Sequence, residues 1–145
     1  MRLEFDEVFQ ITTAEGYDYC KTPNDWPRLF KAFTKVTERG DGWFAVSMRR
    51  SPLPLLVKIT VDQPGEHVAW DLAGFWKGDG EVRFEAVDGG TRITGHETIT
   101  LPGPFGLGRL MERFFEPGFA SVWEDGWRRL RRRAIGTGQV DNPTH

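Results

Sequence analysis

Thr22-Pro23-Asn24-Asp25-Trp26-Pro27-Arg28-Leu29-Phe30 is the stretch whose reading decides the fold. It stands between one strand-like opening segment and a long run of alternating segments. A short helical break that carries a Trp and a Phe four residues apart delivers both beneath a sheet and closes one end of it. Just before it, Thr12 or Thr13 is suited to cap a short helix through about Lys21, and Pro23 ends that helix or opens a second, expected from Asn24 to about Phe33. Upstream, residues 3–11 place Leu3, Phe5, Phe9 and Ile11 on one face of a strand, with Glu7 interrupting the row.

Downstream the period is two. Strands are expected near 34–39, 42–50, 55–62, 66–73, 80–88 and 91–101, with turns at Arg39-Gly40-Asp41-Gly42, Gln63-Pro64-Gly65, Gly78-Asp79-Gly80 and Asp88-Gly89-Gly90. Connections this short make the neighbours antiparallel, since a parallel crossover needs a dozen or more residues. Alternation predicts inward rows of Phe44, Val46 and Met48; Leu55, Val57, Ile59 and Val61; Val68, Trp70 and Leu72; Val82, Phe84 and Ala86; and Ile93, Ile99 and Leu101. The opposite face carries Lys58, Thr60, Asp71, Arg83, Glu85, Arg92, Thr94 and Thr98, which are solvent-type residues.

After Leu101-Pro102-Gly103-Pro104 the period lengthens. Leu107, Leu110, Met111, Phe114, Phe115, Phe119, Val122, Trp123, Trp127 and Leu130 recur at three and four, which predicts one long helix with a broad apolar stripe. Pro117-Gly118 is expected to kink or break it. The order predicts an α+β fold, a seven-stranded curved antiparallel sheet around a long C-terminal helix. A single helix leaves the concave side of such a sheet incompletely filled, so a cavity is expected between them. One domain over 1–135 is expected, followed by a disordered tail over 136–145.

Composition narrows the function classes. The chain has 145 residues and a net charge of −2, which gives no general reason to bind nucleic acid. Its 11 Phe, 6 Trp and 2 Tyr exceed what a core of this size ordinarily needs and suit the wall of an apolar cavity. Cys20 is the single cysteine, so no internal disulfide forms. The opening residues contain no signal-peptide core and no stretch is apolar enough to span a bilayer, so a cytoplasmic location is expected without membrane insertion. One Cys and three scattered His offer no metal-ligand spacing, and no cofactor is expected. Neither Ser47 nor Ser121 has a nucleophile-elbow setting.

Four segments stand out together: Asn24 to Phe30, then Gly40-Asp41-Gly42-Trp43-Phe44, then Phe84 to Arg92 through Gly89-Gly90, and Leu101 to Gly106. With them the chain resembles the START-like (SRPBCC) superfamily, in its polyketide cyclase/dehydrase branch. The resemblance runs from the first strand to about Arg133. It implies the helix-grip arrangement and a hydrophobic ligand cavity between sheet and long helix. For the aromatase/cyclases of that branch it also implies polar groups that steer a poly-β-ketone. The corresponding positions here are Phe33 in place of a Tyr, and Ile59 and Val57 near the places of an Arg and a hydroxyl. Without phenol or guanidinium, enolisation and dehydration lose their evident proton donors.

Within that cavity the expected ligand-binding residues are Trp26, Phe30, Phe33, Phe44, Val46, Met48, Val57, Ile59, Trp70, Leu72, Val82, Phe84, Glu97, Ile99, Met111, Phe115, Phe119 and Val122. Glu97 falls on the inward row of the last strand, where burial raises a carboxyl pKa and equips it as a general acid or base. A bulge at Gly95 would turn it outward, and Glu7 on the neighbouring first strand is a candidate to share its site. Arg49 and Arg50 are placed near the pocket mouth, where they suit an acidic head group. Arg128, Arg129 and Arg132 complement the helix dipole or form a docking surface for a protein partner. The expected ligand is a small hydrophobic or aromatic molecule such as a lipid, quinone or polyketide. The protein itself is expected to be a monomer or homodimer. The competing expectations are an aromatase/cyclase- or dehydratase-like enzyme using Glu97, and a partner-binding module.

Overall fold

A computed structural model describes the backbone of residues 1–49, 51–103 and 106–140, with side chains through Arg133. The elements in chain order are β1 (Arg2–Phe9), α1 (Thr13–Cys20), a 3-10 helix (Pro23–Arg28), β2 (Phe33–Gly40), β3 (Trp43–Met48), β4 (Leu55–Gln63), β5 (His67–Ala73), β6 (Lys77–Val87), β7 (Gly90–Thr100) and α2 (Leu107–Val140). The strands form one seven-stranded antiparallel sheet in the order β1-β7-β6-β5-β4-β3-β2. The curved sheet wraps the long C-terminal helix, as the periodicity predicts. Of the expected tail over 136–145, the backbone to Val140 belongs to α2, and 141–145 lie outside the described residues.

The opening helical break forms for local reasons. The Thr12 hydroxyl accepts from the Glu15 N–H at 3.1 Å and caps α1. The second segment is shorter than expected. Pro27 has no N–H to give to the carbonyl four residues back, and the turn closes through three-residue bonds, Asp25 N–H to Thr22 O and Leu29 N–H to Trp26 O. It still delivers its aromatics. Trp26 is buried and donates its indole N–H to Cys20 O at 3.0 Å. The Phe30 ring rests on Gly126 of α2, where an added Cβ would meet it at 2.3 Å.

Further features differ from the sequence reading. Gly78-Asp79-Gly80 is not a turn. These residues sit inside β6, paired with Leu72, Asp71 and Trp70 of β5 on one side and Ile99, Thr98 and Glu97 of β7 on the other. The reversal comes earlier, through Gly74 at φ 81°. Helix α2 also continues through Pro117 rather than breaking there. Arg113, whose carbonyl Pro117 leaves without a donor, is exposed, as is Pro117 itself, so water is available to that carbonyl. Finally, the apolar stripe is narrower than the sequence pattern, because Leu107, Leu110 and Phe114 point to solvent at 49%, 63% and 79% exposure.

The core runs from Phe9 and Ile11 through the inner rows of every strand from β3 to β7, to Phe119, Trp127 and Leu130 of α2. Burying each such side chain contributes on the order of 2 kcal/mol. Ala86, expected inward, is exposed near the end of β6.

Candidate functional site

The inner face of the sheet and helix α2 part company at one end of the molecule. There β3 finishes at Met48, a connection through Ser51, Pro52 and Leu53 leads into β4, and Phe75 and Trp76 form the β5–β6 turn. Trp76 is 3% exposed and donates weakly to Leu53 O at 3.4 Å, tying turn to connection. Its ring meets those of Phe115 and Phe119 edge-on, at centroid distances of 5.3 and 5.1 Å. Between these parts lies a semi-open groove of about 590 Å³. Its walls are mostly apolar, supplied by Met48, Leu53, Phe75, Trp76, Phe115, Phe119 and Val122. Lys31, Arg49 and Arg128 stand around it with Glu124 and Asp125. Arg50 lies outside the described residues.

Deeper in, between sheet and helix, aromatics fill the space. Trp26 and Trp70 approach at 5.2 Å, Phe30 and Trp123 at 5.0 Å, and Trp123 stacks over Trp70 at 6.3 Å. What remains is an inner void of about 20 Å³, lined by Cys20, Trp26, Phe30, Phe33, Trp70, Glu97, Phe119, Val122 and Trp123. Phe119 and Val122 line both spaces and form the partition between them.

The expected site residues therefore divide. Met48, Phe115, Phe119 and Val122 line the groove, and Trp26, Phe30, Phe33, Trp70 and Glu97 line the inner void. Val46, Val57, Leu72, Val82, Phe84 and Ile99 are buried in the core, and Ile59 and Met111 pack against it. Phe44 is half-buried opposite Val57 and lines neither space. Phe75, Trp76 and Trp123 carry much of the aromatic wall and were not among the expected ligand contacts. The signal that could have found the first two is Gly74, which opens the true β5–β6 turn.

Glu97 is the chemically distinctive group. The β6–β7 register runs without a shift through Gly95, so no bulge turns Glu97 outward, and it is 5% exposed. Burial raises its pKa to about 7, while the indole N–H groups of Trp123 and Trp70 favour the charged form and offset part of that rise. Trp70 Nε1 nonetheless has no hydrogen-bond partner. Glu7 does not share this site. It pairs with Ile93, four residues further back along β7 and so about 13 Å away along the strand, and its carboxylate binds Arg131 at 3.1 Å. Cys20 is no nucleophile, since burial pushes its thiol up to about 12.

On the opposite face of the sheet, His67 Nε2 lies 3.0 Å from Glu81, and His96 Nδ1 lies 3.7 Å from the same carboxylate. Among the described residues no three metal-ligating side chains converge. No described helix is long and apolar enough to cross a membrane. The arginines at the end of α2 largely bind their own chain. Arg129 pairs with Asp125 at 3.3 Å, Arg131 lies over Phe9, and Arg133 donates to Tyr19 Oη and Arg28 O. Arg128 faces the groove and Arg132 is exposed.

Comparison with known proteins adds a family to this geometry. The family model described as polyketide cyclase / dehydrase and lipid transport matches residues 4–134. The chain belongs to this family. Solved structures of the same fold include a protein from Deinococcus radiodurans, 16% identical with a TM-score of 0.68 over 94% of this chain and 99% of that one. The Aha1 dimer from Colwellia psychrerythraea is 12% identical, with a TM-score of 0.65 over 92% and 96%. The di-domain ARO/CYC StfQ from the steffimycin biosynthetic pathway is 14% identical, with a TM-score of 0.72 over 95% of this chain and 51% of that chain. At these identities the likeness shows the fold alone. No curated protein matches the chain.

Proposed function

We propose that this family member binds one small apolar or aromatic molecule in the groove beside α2. The observation that carries the reading is a space of about 590 Å³ whose walls are Phe75, Trp76, Phe115 and Phe119, aromatics continuous with the core. That volume is in the range of small-molecule sites, and such walls reward burial at about 25 cal/mol per Å² before the costs of association. Lys31, Arg49 and Arg128 suit an acidic substituent left at the mouth. The test is mass spectrometry of the organic extract of purified protein, with titration of 8-anilinonaphthalene-1-sulfonate. A stoichiometric apolar species, or saturable dye binding competed by it, is expected. A protein that carries nothing and binds no dye sinks the reading.

A second reading is favoured by one observation, the buried Glu97 carboxyl with its pKa near 7. A group poised there suits proton transfer to or from a ketone-bearing intermediate, in the manner of a cyclase or dehydratase. Phe33, Val57 and Ile59 supply it with no polar assistance. Under this reading Glu97→Gln abolishes turnover of a polyketide substrate and leaves the fold intact. Retained turnover excludes it.

A further inference from the structure

Helix α2 opens with an apolar stripe that the sheet does not cover. Leu107, Leu110 and Phe114 recur at three and four residues and so share one side of its first turns. The Phe114 ring meets that of Phe115 edge-on at 5.2 Å, which makes the stripe continuous with the groove wall. Across the groove mouth, Leu53 is exposed as well. Of the five large hydrophobic side chains exposed among the described residues, four therefore gather here, and the fifth is Val8 on β1. Scattered singly they would need no explanation; gathered at one end they mark a surface that meets something.

The charge beside the stripe narrows what that is. Arg109 and Arg113 flank it on α2, Lys31, Arg49 and Arg128 stand around the groove, and all five are exposed. The acids of the same helix are partly engaged. Glu112 binds the Met1 amine at 2.9 Å and Asp125 binds Arg129 at 3.3 Å, which leaves Glu116 and Glu124 on these turns. The face is thus basic on a chain whose net charge is −2. A second copy docked here would set the cations against themselves, since a two-fold contact uses the same patch twice. A protein partner favours anchors seated in pockets, whereas Leu110 and Phe114 stand out from a convex helix. Protruding apolar side chains between cations match a surface that is apolar beneath an anionic layer.

We infer that this face docks on an anionic membrane, with Leu53, Leu110 and Phe114 entering the acyl boundary and Arg109 and Arg113 meeting lipid phosphates. The contact is peripheral, because side chains of this length reach only the boundary between headgroups and acyl chains. In that pose the groove mouth, between Leu53 and Phe115, opens toward the boundary. The docking does not depend on what the groove holds.

The experiment is co-sedimentation of the full chain with phosphatidylcholine vesicles and with vesicles that are about one-third phosphatidylglycerol. Binding to the anionic vesicles is expected to be about tenfold tighter than to the neutral ones, and to weaken as salt rises. Leu110→Ser combined with Phe114→Ser lowers the affinity about tenfold. The thermal midpoint and dye binding of that variant stay at wild-type values, because neither side chain packs in the core or lines the groove. Arg109→Glu combined with Arg113→Glu removes the preference for anionic vesicles. Leu107→Cys carrying a nitrobenzoxadiazole label brightens and shifts to the blue on vesicles, while Cys20 is buried and stays unlabelled. Absence of sedimentation with either vesicle, unchanged affinity in the double Ser variant, or a label that stays wet overturns the inference. A wild-type dimer in sedimentation velocity that the double Ser variant turns into a monomer gives the stripe to a second copy and overturns it too. Vesicle binding by a protein that takes up no dye upholds the docking and sinks only the groove reading.

Discussion

Trp70 and Glu97 face each other across Gly80, with no side chain of β6 between them. Their Cα atoms are two strand spacings apart, about 10 Å, and the indole lies over the intervening glycine. The glycine is thus a packing requirement. Gly80→Ala should destabilise the domain by about 1–3 kcal/mol, because the new methyl forces the indole aside in a filled interior. Urea denaturation measures the loss, and near-ultraviolet circular dichroism reports the displaced tryptophan.

Stability should depend on pH through Glu97. Its folded pKa is raised to about 7 from 4.5, so between these values the folded state binds more protons than the unfolded chain. Stability from this group is therefore greatest below about 4.5 and falls as pH rises to about 7, by on the order of 3 kcal/mol in all. Urea midpoints of wild type and Glu97→Gln from pH 4.5 to 8 isolate the effect, since every other group is common to both. The difference between them should swing in favour of the variant as pH rises.

Gly118 offers a separate control on the groove. It is helical, it lines the groove, and a Cβ there meets nothing within 4 Å. Gly118→Ala should stabilise the helix by about 0.5–1 kcal/mol. Gly118→Trp should fill the groove and abolish dye binding, with the thermal midpoint at or near that of wild type.

Thr91 ties the start of β7 to the chain leaving β1. It is fully buried and donates its hydroxyl to Ile11 O at 2.7 Å. Thr91→Val keeps the shape and strands a buried carbonyl, which should cost about 1–2 kcal/mol in equilibrium unfolding.

Much of the architecture was legible because local chemistry and tertiary structure agree. Gly40-Asp41-Gly42 and Asp88-Gly89-Gly90 are true turns, and alternation through β7 correctly turned Glu97 inward. The misread segments are those where one residue type serves two purposes. Gly78 and Gly80 resemble turn glycines, yet Gly78 clears the Thr98 carbonyl and Gly80 clears Trp70. Leu110 and Phe114 continue the helical period beyond the face that the sheet covers, so periodicity overstates the buried stripe. The groove was not legible in position. It arises where the Leu53 connection and the Phe75-Trp76 turn meet α2, a coincidence of three distant segments. Equally, no composition argument distinguishes aromatics that fill a cavity from aromatics that line one, and here Trp26, Trp70 and Trp123 largely do the first while Trp76 and Phe115 do the second.

The strand order has a kinetic consequence. β5, β6 and β7 are joined by tight reversals, so Trp70, Gly80 and Glu97 come into register through short-range pairing. Leu3 reaches Glu97 only when the first strand pairs with the last, and the roof of Phe119, Val122 and Trp123 arrives with the last element of the chain. Contacts between distant segments form more slowly than those within a hairpin. Until the roof settles, Glu97 is wet and ionised at neutral pH. Docking of the final helix is then the step that draws a proton out of solution, and a pH-indicator dye in a stopped-flow refolding experiment would see that uptake coincide with tryptophan burial.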